Sequence, residues 1–214
     1  MGYSHYYYQT RSMTAEEFEG FAADVAELAR AAKDVGGSKA FEERYGRGQG
    51  WASGAGGSME VEPQGPGVDA VGFNGANDAG CEAFFAPRDI RGHAAPYEIE
   101  CVDKDGERFH CVKTRQRPYD AVVCAALLCL VDRAPDAWRV SSDGGIEDWA
   151  SAARFAGFVL GRPMPLAGVS KFGEHPEALE EALAPTAWMR AAKELHQIEK
   201  AANEACEPRP RRAL

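Results

Sequence analysis

The sequence predicts an α+β fold, a single domain in which a mainly antiparallel sheet packs against a buried central helix, with extra helices towards the C-terminus. Three observations predict it. Ala121 to Val131 is a run apolar on every side, which suits a helix covered by other elements. Short segments rich in aromatic and β-branched residues, split by Gly- and Asp-rich turns, read as strands. The chain has 214 residues, 45% hydrophobic and 27% charged, enough for one substantial core. Residues 1–206 form the predicted domain, 46–67 within it a Gly-rich loop, and 207–214 a flexible basic tail.

Ser4 to Gln9 reads as a strand because consecutive tyrosines suit a pleated surface, with Tyr3, His5 and Tyr7 on one face. Thr14-Ala-Glu-Glu17 is a capping box, and Phe18, Phe21, Val25, Leu28 and Ala32 then mark one buried helical stripe ended by Gly36-Gly37. Strands are predicted at Met59 to Glu62, Val71 to Asn74 and Cys81 to Phe85. Asp105-Gly106 is a preferred two-residue turn and predicts a hairpin from Tyr97 to Val102 and Glu107 to Thr114. Pro118 occupies a first helical position, so the central helix is expected to run from Pro118 to Val131. Trp138 to Ser142 is a short strand, Asp143-Gly-Gly145 turns into a helix bearing Ile146, Trp149, Ala153 and Leu160, and two helical stretches flank Pro185.

The net charge of −9 repels duplex nucleic acid, and no segment approaches the roughly 18 apolar residues of a membrane span. The Tyr- and His-rich start lacks the apolar region of a signal peptide, so the expected location is the cytoplasm. The six cysteines, with no CxxC pair, are expected as reduced thiols, Cys124 and Cys129 serving as small hydrophobes in the central helix. No metal or cofactor is expected.

Lys113-Thr-Arg-Gln-Arg-Pro-Tyr-Asp120 places three cations before a helix start, where unpaired N–H groups and the dipole favour an anion. Lys113, Thr114, Arg115 and Arg117 then make a receptor for phosphate or carboxylate, with Asp120 either in the site or capping the helix. The plainer reading is a solvated basic loop. Ser141-Ser-Asp-Gly-Gly145 repeats the pattern of strand end, small-residue turn and helix; Ser141, Ser142 and Asp143 can face an anion, or Ser142 or Asp143 can simply cap the helix. If the two preceding strands are neighbours, both loops meet at one end of the sheet.

His5 is a candidate acid, base or stacking partner, against the plainer account of a histidine with one packed face and one hydrogen bond. His110 and Cys111 alternate across a strand and cannot act together. Asp143, Glu147 and Asp148 have hard-cation chemistry, but helix starts are commonly acidic. No P-loop, Rossmann fingerprint, nucleophile elbow or zinc-protease helix is present.

Met-Gly-Tyr-Ser-His-Tyr at the start, Phe73-Asn-Gly75, Lys113-Thr with Pro118-Tyr-Asp120, Val140-Ser-Ser-Asp-Gly144 and Asp148-Trp149 stand in an order that resembles a family of small proteins of tailed bacteriophages, particularly those of actinobacteria, with scattered bacterial relatives. The resemblance spans residues 1–160 and implies an accessory phage protein acting in an infected cell. It carries no catalytic assignment. The leading expectation is recognition of an anionic small molecule, a nucleotide or phosphorylated metabolite, with turnover left open. The alternative is a module that docks on a host protein through exposed aromatics near Tyr6, Tyr8 or Trp51.

Overall fold

The computed structural model describes residues 3–46, 57–63, 69–91 and 106–169, with short pieces at 183–184 and 189–190. Among them are four helices and six strands in an α+β arrangement. Strand β1 (Ser4–Gln9) lies between β5 (Arg108–Lys113) and β6 (Trp138–Ser142), antiparallel to both. A second antiparallel sheet contains β2 (Val61–Pro63), β3 (Ala70–Gly75) and β4 (Phe84–Pro87). The expected mainly antiparallel sheet is thus two small sheets. They share a core: Phe84 stacks on Tyr7 at 5.6 Å, and the Tyr7 hydroxyl donates to the Phe85 carbonyl at 2.9 Å.

Alternation along β1 turns His5, Tyr7 and Gln9 inward, and the same period buries Val112 on β5 and Val140 and Ser142 on β6. Against this inner face lies α3 (Asp120–Arg133), in which every residue from Val122 to Leu130 is 0% exposed. It is flanked by α1 (Ala15–Val35) and α4 (Ile146–Leu160).

Helix α1 begins at the capping box the sequence announces: Thr14 accepts the Glu17 N–H, and Glu17 accepts the Thr14 N–H at 2.8 Å. Arg11 grips the same carboxylate; with the Thr14 N–H it holds Glu17 down at about 2. The helix ends at Gly36, whose φ of 84° suits a residue without Cβ. Buried Asp24 pins α1 to α3 by accepting two bonds from Arg133 at 2.8 Å, and it also binds Arg162 beyond α4.

Several expectations are corrected. A helix α2 (Ser38–Tyr45) precedes the Gly-rich region, holding Phe41 and Tyr45 against Phe155. The β4 strand starts at Phe84 rather than Cys81, because Asn74 ties both the N–H and the carbonyl of Cys81 into a turn. Pro118 stands outside α3: Tyr119 is its N-cap and Asp120 its first residue. Neither Ser142 nor Asp143 caps α4; Gly145 is the N-cap, and its N–H goes to Asp148 at 2.8 Å. Trp51, the Tyr97 to Val102 half of the hairpin, most of the C-terminal helical stretches and the basic tail lie outside the described residues.

Candidate functional site

Because β5 and β6 each run antiparallel to β1, they run in the same direction and end together beside the start of β1. The strands are separated by β1 rather than adjacent, yet both loops arrive at one end of the sheet. There they clamp the beginning of β1. The N–H groups of Thr114 and Arg115 donate to the Tyr3 carbonyl at 3.2 and 3.3 Å, and the Asp143 N–H donates to the Ser4 carbonyl at 3.0 Å.

On the inner face of that end lies His5, 0% exposed. Its Nε2 is 2.7 Å from Asp120 Oδ1 and its Nδ1 is 2.9 Å from Ser142 Oγ. Both ring nitrogens are engaged, one bond more than the packed histidine expected from sequence. With Asp120 ionised the carboxylate only accepts, so neutral His5 carries its proton on Nε2 and turns the Nδ1 lone pair to Ser142. Ser142 Oγ accepts the Gly144 N–H at 2.9 Å, which leaves its own proton for Nδ1. The hydrogen bonds therefore run Ser142 to His5 to Asp120. Ser142 and Asp120 are themselves nearly buried.

Aromatic rings enclose the imidazole. Tyr3 and Trp149 both meet it edge to face, with centroids 5.3 and 5.4 Å away. Cys124, one turn into α3 from Asp120, brings Sγ within 3.8 Å of His5 Nε2 and 4.0 Å of Asp120 Oδ2. Burial pushes the Cys124 thiol well up, and the acidic neighbours Asp120 and Asp148 add to it. The Tyr3 phenol is raised for the same reason, burial first and then Cys124, Asp120 and Asp148. Neither is a ready anion at neutral pH.

The structure divides the residues singled out in the sequence. His5, Asp120 and Ser142 meet. Thr114 is completely buried on the same inner side, its Oγ1 without a hydrogen-bond partner. Lys113 and Ser141 fall on the opposite face of the sheet by strand alternation. The Lys113 ammonium forms no ion pair with the described residues, while its backbone N–H donates to Glu82. Asp143 is exposed and accepts from the Ser4 N–H and the Tyr6 hydroxyl. Arg117 directs Nη1 to the carbonyls of Asp78 and Gly80.

That last contact explains the Phe73-Asn-Gly75 motif. Asn74 Oδ1 accepts from the Gly75 and Cys81 N–H groups, closing a turn that aims the two carbonyls at Arg117. At Gly75 a Cβ would lie 2.8 Å from the Ala79 backbone, so only glycine fits. The turn in turn props the loop into α3, whose Arg115 and Gln116 both have positive φ, 55° and 53°. Two consecutive non-glycine residues in that region are costly and are held only by their surroundings. Cys124, Tyr3 and Trp149 join the site without having been expected there; the Asp120-x-x-x-Cys124 spacing, which puts both on one helix face, is the signal in the sequence.

No protein-family model, curated protein or solved structure matches the chain.

Gly144 gives this packing a direct test. A Cβ there would overlap the Tyr3 hydroxyl oxygen and lie 3.0 Å from Tyr3 Cζ and 3.1 Å from Asp148 Oδ2. Gly144→Ala is expected to destabilise the protein by about 1–3 kcal/mol through overpacking. Adding Tyr3→Phe, which removes the clashing oxygen but keeps the ring, is expected to restore part of the melting temperature. A melt of Gly144→Ala matching the wild type would mean Tyr3 does not lie over this loop.

Proposed function

We propose that the chain is an enzyme of the hydrolase or transferase class, with Ser142 as nucleophile, His5 as base and Asp120 as the group that orients it. The observation that carries this reading is the single chain of hydrogen bonds from Ser142 Oγ through both nitrogens of His5 to Asp120. A serine hydroxyl is a weak nucleophile until an adjacent base takes its proton, and the base works only in the correct tautomer. Asp120 selects that tautomer. The order of roles is that of a serine–histidine–aspartate triad, with the two imidazole nitrogens exchanged.

In the proposed reaction Ser142 Oγ attacks an electrophilic carbonyl or phosphoryl centre as its proton passes to His5 Nδ1. The leaving group takes that proton, and water, activated by the same nitrogen, releases the product and restores Ser142. The Gly144 N–H holds Oγ in place beside His5. Lys113, on the outer face, and the exposed Arg115 add positive charge around the same end of the sheet. For this reason the proposed substrate is an anionic small molecule, a nucleotide or other phosphorylated metabolite. The setting proposed, from the motifs shared with tailed-phage proteins, is an infected cell.

A fluorophosphonate probe followed by peptide mass spectrometry tests the reading. Ser142 should be labelled in the wild type, and labelling should fall sharply in His5→Gln. Labelling elsewhere, or none on folded protein, would remove Ser142 as nucleophile. One observation favours a second reading, docking on a host protein: Tyr6, Tyr8 and Phe109 form a ring cluster on the outer sheet face, Arg139 lying 4.8 Å over Tyr8. Under that reading Tyr8→Ala abolishes partner binding and Ser142 is never labelled.

A further inference from the structure

We infer that His5, Asp120 and Cys124 form a binding site for a zinc-class divalent ion, and that occupancy switches off the Ser142 centre. The three residues are buried, and their ligating atoms lie within 4.8 Å of one another. They come from two elements, β1 and the first two turns of α3, so the fold itself fixes their spacing.

Imidazole nitrogen, carboxylate oxygen and thiolate sulfur together select a borderline ion such as Zn²⁺ and disfavour Mg²⁺ or Ca²⁺, which take oxygen ligands. With bonds of about 2.0–2.3 Å, tetrahedral ligands sit roughly 3.3–3.6 Å apart. The sulfur is 3.8 Å from His5 Nε2 and 4.0 Å from Asp120 Oδ2, so both gaps need close by only a few tenths of an ångström. The Nε2 and Oδ1 atoms, now 2.7 Å apart, must part to admit the ion, which replaces their shared proton. Asp120, whose side chain keeps 11% exposure, is the ligand that solvent reaches. Three protein ligands leave a fourth position for water or a small anion.

The consequence for Ser142 follows from the tautomer and rests on the nucleophile reading above. An ion on Nε2 requires that lone pair, so the ring proton moves to Nδ1. His5 then donates to Ser142 Oγ instead of accepting from it, as a metal-bound histidine usually does with its second nitrogen. The base is lost without any movement of the backbone. Binding releases the Cys124 thiol proton and the Nε2 proton displaced to Nδ1 leaves the ring neutral, so the complex carries Zn²⁺ against one thiolate and one carboxylate.

Co²⁺ titration of untagged, chelator-stripped protein tests the site, because a thiolate ligand adds a sulfur-to-cobalt charge-transfer band to the visible ligand-field bands. One equivalent should saturate the band, Zn²⁺ should displace Co²⁺, and Cys124→Ala should remove the band. If Cys124→Ala does not fold, Cys124→Ser tests the same ligand. Zn²⁺ should also reduce fluorophosphonate labelling of Ser142 at least tenfold in the wild type but not in the Cys124 variant. Absence of the band, or a band that survives in the Cys124 variant, overturns the site and leaves the Ser142 reading untouched. A band with labelling unchanged by Zn²⁺ overturns the switch. If Ser142 is never labelled, the nucleophile reading falls, and the Co²⁺ spectrum of the wild type and of Ser142→Ala still decides whether the metal site exists.

Discussion

Asp120→Asn is expected to cut turnover by roughly 10⁴-fold while leaving the fold intact. The asparagine amide preserves shape and can donate to Nε2, which drives the His5 proton onto Nδ1, 2.9 Å from Ser142. The base then faces its nucleophile with the wrong end of a hydrogen bond. Ser142→Ala should lose about 10³-fold or more, and the double variant should lose little beyond the worse single one, since the groups act as a unit. The measurement is kcat on p-nitrophenyl ester and phosphate substrates, with circular dichroism melts alongside. A structural trio behaves differently. It would show lowered melting temperatures that track the substitutions, with rates within about tenfold of the wild type throughout, and that result would end the enzymatic reading.

The second large effect concerns the core. Ala126 sits in the middle of α3, 0% exposed among neighbours that are also 0% exposed. Ala126→Asp would put a carboxylate where no partner or water can reach, against a total stability of only about 5–15 kcal/mol for a domain. The expected loss exceeds roughly 4 kcal/mol, enough to remove most soluble protein. Soluble fraction after expression and a thermal melt read it out. A soluble, cooperatively melting variant would show that α3 is not the element the other helices cover.

Local signals in the sequence carried most of the elements. Thr14 and Glu17 cap α1 as a reciprocal pair that needs nothing from elsewhere in the chain, and the apolar run from Ala121 has no stable place except a core. Pairing was another matter. His5 lies opposite Val112 and Ser142, and no residue near His5 announces partners more than a hundred positions away. The same gap explains the site. His5, Asp120 and Ser142 each lay in a motif worth noticing, but the partners of Arg117 Nη1, the Asp78 and Gly80 carbonyls, carry no side-chain signature. Ser141 and Ser142 look alike as letters; the pleat sends one inward and the other out.

Placing β1 between β5 and β6 has a consequence during synthesis. A ribosome emits β1 before β6, yet the hydrogen bond between His5 and Ser142 spans 137 positions. At about 5–20 residues per second, that strand waits roughly 7–30 s for its second neighbour. Throughout that interval the backbone edge that β6 will take is unclaimed, a template for pairing with another nascent chain. Assembly of the His5, Asp120 and Ser142 cluster is therefore a late event, set by translation rate as much as by the folding barrier. Slowing elongation between β5 and β6 should raise the aggregated fraction without altering the stability of the protein that does fold.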